Sequence, residues 1–252
     1  LTIMIALFLG AGVLQAQMPN SDAHSAMTTE MMDHGADLSG VWNGRRAPEA
    51  RAYGGFGFSA ELPPMTEWAT ARFETARPTF GPNSATVADT NDPVYKCFPP
   101  GTPRIYFHPF PMEIIQLPGR VMMVFEYDHL IRQIYTDGRG HSEALSPGWM
   151  GDSIGHWEGD TLVVETTNFN DKTWIDRRGV PHSEELKVVE RFQISDDGIL
   201  QIDIMIEDPV AFTEPWSGQR QYGRVDWDIG EFMCMDNVSF LGFEQEILEF
   251  NE

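Results

Sequence analysis

Residues 185–207, ELKVVERFQISDDGILQIDIMIE, contain two apolar-rich runs on either side of the turn Asp196-Asp197-Gly198. In the second run, every other residue from Leu200 to Ile206 is Leu or Ile, and the residues between them are Gln, Asp and Met. A period of two is typical of a strand with one buried and one solvated face, and Asp-Gly favours a tight turn. The stretch therefore predicts an antiparallel hairpin with strands at Glu185–Ile194 and Ile199–Glu207.

Similar runs separated by turn residues continue on both sides of this hairpin. They predict further strands at Leu38–Asn43, Met112–Leu117, Val121–Tyr127, His129–Thr136, Ser153–Trp157 and Thr161–Thr167, with two or three more across Gln219–Met235 and Phe240–Phe250. Eight to ten locally joined antiparallel strands must protect their edges, and a barrel or a two-sheet sandwich does so. We expect an all-β fold, an antiparallel meander closing into a lipocalin-like barrel, as one domain spanning 38–252.

The region between the first and second predicted strands has a different composition. Residues 45–111 are rich in Pro and Gly and predict long loops over the barrel. The exception is a helix predicted at Met65–Ala76, which follows Pro63-Pro64.

The charge of the chain limits its partners. It has 252 residues, with 38 Asp and Glu against 17 Lys and Arg, and a formal net charge of −21. Such a chain repels phosphate backbones and anionic lipid surfaces. We therefore expect no nucleic-acid partner and no membrane insertion after export.

The N-terminal residues predict export. Residues 3–14 are almost wholly apolar, which is too short for a transmembrane helix but suits a signal peptide at 1–16, with cleavage after Ala16. Residues 17–37 are polar and predict a disordered linker, although their Met and His residues also suit a copper-scavenging arm. A buried N-terminal element is the alternative to the signal peptide. We expect a periplasmic or secreted protein.

The two cysteines, Cys97 and Cys234, are far apart in sequence. In an exported chain such a pair predicts one disulfide bond. A free nucleophilic cysteine is the alternative, but neither residue lies in a recognisable nucleophile motif.

Three charged residues share strand faces with apolar neighbours. They are Arg132, Glu165 and Glu190, and the pattern predicts that all three point inward. An unpaired buried charge is costly and is retained mainly where something binds it, so these side chains are candidate ligand-binding residues. The alternative is an internal salt bridge of Arg132 with one of the two glutamates.

A polar loop, residues 168–183, supplies candidate catalytic groups. It can place His182 beside Asp176, an arrangement that orients an imidazole for proton transfer. His156, on a neighbouring strand, is a third candidate. Both loop residues could instead satisfy turn backbone groups. Two histidines and Glu165 or Glu190 could also bind a metal, but no metal-binding spacing is present, and we expect neither a metal nor another cofactor.

The segment from Cys97 to His108 contains three prolines, which argue against a central strand. We expect it to lie extended at the barrel mouth and to present Arg104, Tyr106 and His108 to a ligand. The chain also has 16 Phe, 7 Trp and 6 Tyr, enough to line an aromatic pocket.

Several motifs together resemble a family of exported bacterial β-rich proteins that has no established activity. The motifs are Cys97 to Arg104 (CFPPGTPR), Gly155 to Val164 (GHWEGDTLVV), Phe169 to Trp174 (FNDKTW) and Pro181 to Ser183 (PHS). Gly40-Val41-Trp42 is also similar to the G-x-W that opens lipocalin-type barrels. The resemblance implies export and a β-rich fold, and it transfers no catalytic residue.

Three functions are consistent with these features. The first, which we favour, is binding of a small, partly apolar organic molecule in the barrel cavity, with Arg132 and nearby carboxylates at its polar end. The second is a hydrolase or lyase that uses His182 oriented by Asp176. The third is a structural or interaction module of the cell envelope. The sequence leaves the oligomeric state open.

Overall fold

The alternating runs form strands in the computed structural model, which describes residues 36–45 and 55–236. Within these residues the strands are β1 Gly40–Arg45, β2 Met112–Leu117, β3 Arg120–Phe125, β4 Ile131–Tyr135, β5 Asp152–Glu158, β6 Thr161–Thr167, β7 Lys187–Ile194, β8 Ile199–Glu207 and β9 Trp216–Val225. The predicted hairpin forms from β7 and β8, with Glu190 opposite Ile204. Its apolar residues from Leu200 to Ile206 are buried, as their spacing predicts.

The strands close into one barrel, in which each pairs with the next and β1 pairs with β9. This confirms the predicted barrel and rejects the sandwich. Every pair is antiparallel except β4 with β5, which is parallel through Ile134 with Ser153 and Tyr135 with Ile154. A closed ring with an odd number of strands needs a parallel pair, because strict alternation of direction would fail at closure. Residues 136–151 supply the long connection that a parallel pair requires.

The two ends of the barrel differ. Short turns at 118–119, 159–160 and 195–198 close one end. The other end, which we call the mouth, carries the longer connections 55–111, 168–186 and 208–215. Helix α1 (Glu67–Thr75) confirms the predicted helix and begins where the Thr66 hydroxyl accepts a hydrogen bond from the Ala69 amide. The mouth therefore holds most of the irregular backbone of the described residues.

The disulfide bond between Cys97 and Cys234 is formed, as predicted, with the two Cα atoms 5.6 Å apart. It fixes the segment after β9 to the mouth. The Asp128 amide donates to the Phe232 carbonyl over 2.7 Å, and the Cys234 amide donates to the Asp128 carboxylate over 2.6 Å. The segment becomes one wall of the mouth.

Several expectations concern residues outside the described ranges. These are the signal peptide at 1–16, the linker at 17–37 apart from its last two residues, and the strand predicted at Phe240–Phe250. Across residues 36–45 and 55–236, no helix is long and apolar enough to span a bilayer.

Candidate functional site

The centre of the barrel holds a buried ion pair between Arg132 on β4 and Glu190 on β7. The Arg132 Nη1 donates to Glu190 Oε1 over 2.9 Å, and its Nη2 donates to the other carboxylate oxygen. Its remaining contacts are to Ser153 Oγ at 3.1 Å, Thr166 Oγ1 at 2.7 Å and Tyr106 Oη at 2.6 Å. These five contacts match the five N–H donors of a guanidinium. The alternative prediction, an internal salt bridge, is therefore the one that forms.

Tyr106 completes this network from the mouth side. It lies on a 3₁₀ turn, Arg104–Phe107, and its hydroxyl donates to Glu190 Oε1 over 2.7 Å. Burial is the largest cause that raises the pKa of Tyr106 well above its ordinary value, so the hydroxyl keeps its proton. The expected extended segment is thus a helical turn, and Tyr106 fills the barrel at the level where the ligand was expected. Arg132 and Glu190 bind each other and Tyr106 there.

Glu165 and His156 lie on the outer face, contrary to the prediction for Glu165. The β6 side chain that binds Arg132 is Thr166, so its neighbour Glu165 points outward. There Glu165 contacts Lys187 Nζ at 2.6 Å and His141 Nε2 at 3.3 Å. The hydrogen bond from Lys187 is the first cause that lowers the pKa of Glu165. His156 is 66% exposed and pairs with Glu158, so it lies outside the interior.

His182 and Asp176 are both buried, but the predicted contact between them does not form. The Asp176 carboxylate accepts from the backbone and side chain of Arg178, both at 2.8 Å. His182 Nδ1 lies 3.0 Å from the Ser183 carbonyl, so Nδ1 carries the donor proton. Burial lowers the pKa of His182, which favours the neutral ring. The two groups therefore satisfy loop backbone, which was the alternative prediction.

The described residues also contain no group of three His, Cys, Asp or Glu side chains placed to hold a metal ion. His182 instead borders a small cleft of about 210 Å³ with Arg72, Asn91 and Lys172. Its Nε2 is buried and has no hydrogen-bond partner among the residues that the structure describes.

A larger cleft opens at the mouth, between the 3₁₀ turn, the β3–β4 turn and the segment after β9. We call it the aromatic cleft. Its volume is about 280 Å³, and its walls include Arg104, His108, Phe110, Tyr127 and Phe232. The ring centroids of Phe110 and Phe232 are 4.2 Å apart, and those of His108 and Tyr127 are 4.5 Å apart. Packed rings of this kind offer an apolar surface to a ligand.

Polar groups without partners lie beside these rings. Arg104 is only 2% exposed, and its Nη2 contacts Asp92 at 2.5 Å. Its Nε and Nη1 are buried and have no hydrogen-bond partner in the described part of the chain, and the same holds for His108 Nε2. Burial, followed by the charges of Arg104 and Arg177, lowers the pKa of His108 well below its usual value. Its ring is therefore neutral.

A second cleft adjoins the first, and we call it the arginine cleft. It measures about 210 Å³, and its walls include Arg45, Arg177 and Arg220. His108, Pro109 and Arg177 line both clefts, so the two are neighbours at the mouth. Arg177 stacks over Phe80 with 4.2 Å between its guanidinium carbon and the ring centroid, and Arg220 lies 4.8 Å over Phe107. These stacks orient both guanidinium groups.

Of the predicted ligand-binding residues, the structure therefore brings Arg104 and His108 together in one cleft. It directs Tyr106, Arg132 and Glu190 into the core and Glu165 to the outside. Sequence reasoning missed Arg177, Arg220, Phe110, Tyr127 and Phe232, because one lies in the middle of β9 and the others come from separate loops and turns. The only available signal was the Arg177-Arg178 pair within the loop already singled out.

Neither protein-family models nor curated proteins show a significant match to the chain. Among solved structures, the chain is similar to a mutant of the fluorescent protein UnaG, with 12% identity, a TM-score of 0.33, and coverage of 75% of this chain and 97% of the other. It is also similar to secretory abundant heat soluble protein 4 from Ramazzottius varieornatus, with 11% identity, a TM-score of 0.32, and coverage of 77% and 98%. Scores this low carry no argument about function.

Proposed function

We propose that this barrel protein is exported and binds a small, partly apolar organic molecule in the aromatic cleft at its mouth. One observation carries the proposal: two buried nitrogens of Arg104 have no hydrogen-bond partner within residues 36–45 and 55–236, and they lie beside a wall of packed rings. A buried donor without a partner costs about 1–3 kcal/mol, and more for a charged group. A ligand oxygen at this position removes that cost.

The size of the cleft supports a small ligand. Its volume of about 280 Å³ lies just below the usual range for small-molecule sites, roughly 300–1,000 Å³. The rings of Phe110, Tyr127 and Phe232 suit one or two fused rings or a short apolar chain. Arg104 and His108 then hold the polar end, the role first expected of Arg132.

Export to the periplasm or the exterior is supported by the disulfide bond. Disulfides persist in oxidising compartments and are rare in the cytosol. The Cys97–Cys234 bond also positions Phe232 in the cleft wall. The family resemblance and the apolar residues 3–14 point the same way.

Calorimetric titration of the purified protein with two naphthalene probes, 2-naphthoate and 2-naphthalenemethanol, tests binding. We expect saturable binding of at least one probe with one site per chain. Phe110→Ala should weaken it at least tenfold, because a buried ring contributes about 1.5–3 kcal/mol. Leu145→Ala, which removes a side chain 55% exposed elsewhere, is the control and should change affinity less than twofold. If neither probe saturates, or if both variants weaken binding equally, the proposal is wrong.

A further inference from the structure

The linings of the two clefts at the mouth are rich in arginine, although the chain as a whole is acidic. The formal net charge of the whole sequence is −21. The two adjoining clefts are nevertheless lined by four arginines, Arg45, Arg104, Arg177 and Arg220. Among the described residues of these linings there is one carboxylate, Asp92, and it binds Arg104. The described part of the lining therefore contains more arginines than carboxylates.

This concentration of charge has a free-energy cost in a free protein. Arginines keep their charge at any ordinary pH, so they cannot relieve their mutual repulsion by losing protons. The guanidinium nitrogens that are buried without partners in the described residues include Nε and Nη1 of Arg104 and Nε of Arg220. Donors of this type bind carboxylate and phosphate oxygens most strongly, because both partners are charged. An anion bound between the clefts would offset both the repulsion and the missing hydrogen bonds.

The shared residues indicate where the anionic group lies. His108 and Arg177 line both clefts, and Arg104 borders the aromatic cleft beside them. An anionic group at this junction is within reach of donors from both sides. The rings of Phe110 and Phe232 remain for the apolar body of the same molecule.

We propose that the ligand is an organic anion whose carboxylate or phosphate group lies at the junction of the two clefts and whose apolar body lies in the aromatic cleft. This inference rests on the proposed function and makes it narrower, since it predicts that neutral and cationic ligands of the same shape bind more weakly than anions. Carboxylate and phosphate share the chemistry that the arginines recognise, and separate probes distinguish them.

Four probes with the same naphthalene body test the inference: 2-naphthoate, 2-naphthyl phosphate, 2-naphthalenemethanol and 2-naphthylmethylamine. We expect at least one of the two anions to bind ten times more tightly than the alcohol, and the protonated amine to bind least. Raising the salt concentration should lower the affinity for the anion and leave the affinity for the alcohol unchanged, because salt screens partly exposed charges. Equal binding of anion and alcohol would overturn the inference and leave the proposed function intact. Binding of no probe would overturn both.

Arg177→Gln tests the junction itself. It should lower anion affinity at least tenfold and alcohol affinity less than twofold, a difference that general loosening of the mouth would not produce. Arg220→Gln, on the other wall of the arginine cleft, is a second variant with the same expected direction. Arg120→Gln removes the same charge from an exposed site at the closed end and is the control. Equal loss of anion and alcohol binding in both cleft variants, or anion loss as large in the control, would reject the assignment.

Discussion

At the scale of single residues, the central feature is that Arg132 and Glu190 are both buried and both satisfied. Moving two charges out of water is costly, and good geometry repays the cost only in part. Here Tyr106, Ser153 and Thr166 satisfy the remaining groups. The network therefore specifies how the 3₁₀ turn enters the barrel more than it stabilises the fold.

Removing one member of this network should destabilise the protein more than replacing the whole network with apolar side chains. Glu190→Ala leaves Arg132 buried without its counter-ion and should lower the free energy of unfolding by about 3–5 kcal/mol. The triple variant Arg132→Met, Glu190→Leu, Tyr106→Phe removes the charges and the hydroxyl together and should recover at least ~2 kcal/mol of that loss. Urea denaturation measures both.

The exposed pair Arg191–Glu158 is the matched control for this experiment, with side chains 46% and 48% exposed. Glu158→Ala should cost less than about 1 kcal/mol. Equal losses in the single and triple interior variants would show that the network is a net stabiliser.

The sequence predicts these residues unevenly. Arg132 and Glu190 alternate with exposed neighbours, so their inward direction could be read from the pattern. On β6, Val163 and Val164 are both buried, so the two faces look alike and Glu165 was assigned to the wrong one. The cleft residues Arg177 and Phe232 lie in irregular backbone, where periodicity carries no information about direction.

At the scale of elements, the parallel β4–β5 pair depends on how the connection 136–151 enters β5. Gly151 has a φ of +68°, and a Cβ there would lie 2.7 Å from Thr166 Cγ2 and from the Thr167 carbonyl oxygen. Contacts this short force the neighbours to move. Thr166 also binds Arg132, so the entry to β5 and the central network are coupled.

Gly151→Ala should therefore destabilise the protein by about 2–5 kcal/mol, the sum of the left-handed backbone cost and overpacking. Gly138→Ala is the matched control, because Gly138 lies in the same connection with a φ of +81° and a Cβ there would meet no atom within 4 Å. It should cost only the backbone part, about 1–2 kcal/mol. Thermal or urea unfolding of both variants gives the comparison, and equal losses would mean that packing at Gly151 is unimportant.

The elements themselves were largely predictable. The bounds of β2, β6 and β8 match the predicted runs, because alternating runs there end at turn residues. The parallel pair was not predicted, because pairing direction follows from the number of strands that close the ring. The 3₁₀ turn at Arg104–Phe107 was missed as well, since the prolines that precede it exclude a strand without specifying what replaces it.

At the scale of the whole molecule, burial of titratable groups couples stability to pH. The pKa values of His108 and His182 are both lowered, in each case mainly by burial. In the unfolded chain the histidines titrate near pH 6.5. Below that pH they bind protons that the buried rings of the native state do not bind. Stability should therefore be complete above that pH and fall as the pH drops below it.

The predicted slope between about pH 6.5 and 5.5 is up to ~1.4 kcal/mol per pH unit for each of the two histidines. Urea denaturation at pH 7.5, 6.5 and 5.5 measures it, since urea leaves the ionic strength unchanged. His108→Gln should remove one histidine's share of the slope, and His108→Gln with His182→Gln should remove both. Because a neutral amide at position 108 or 182 binds no proton, the stability of the double variant should be nearly independent of pH in this window. A wild-type protein that becomes more stable as the pH falls from 6.5 to 5.5 would contradict the placement of both rings as buried and neutral.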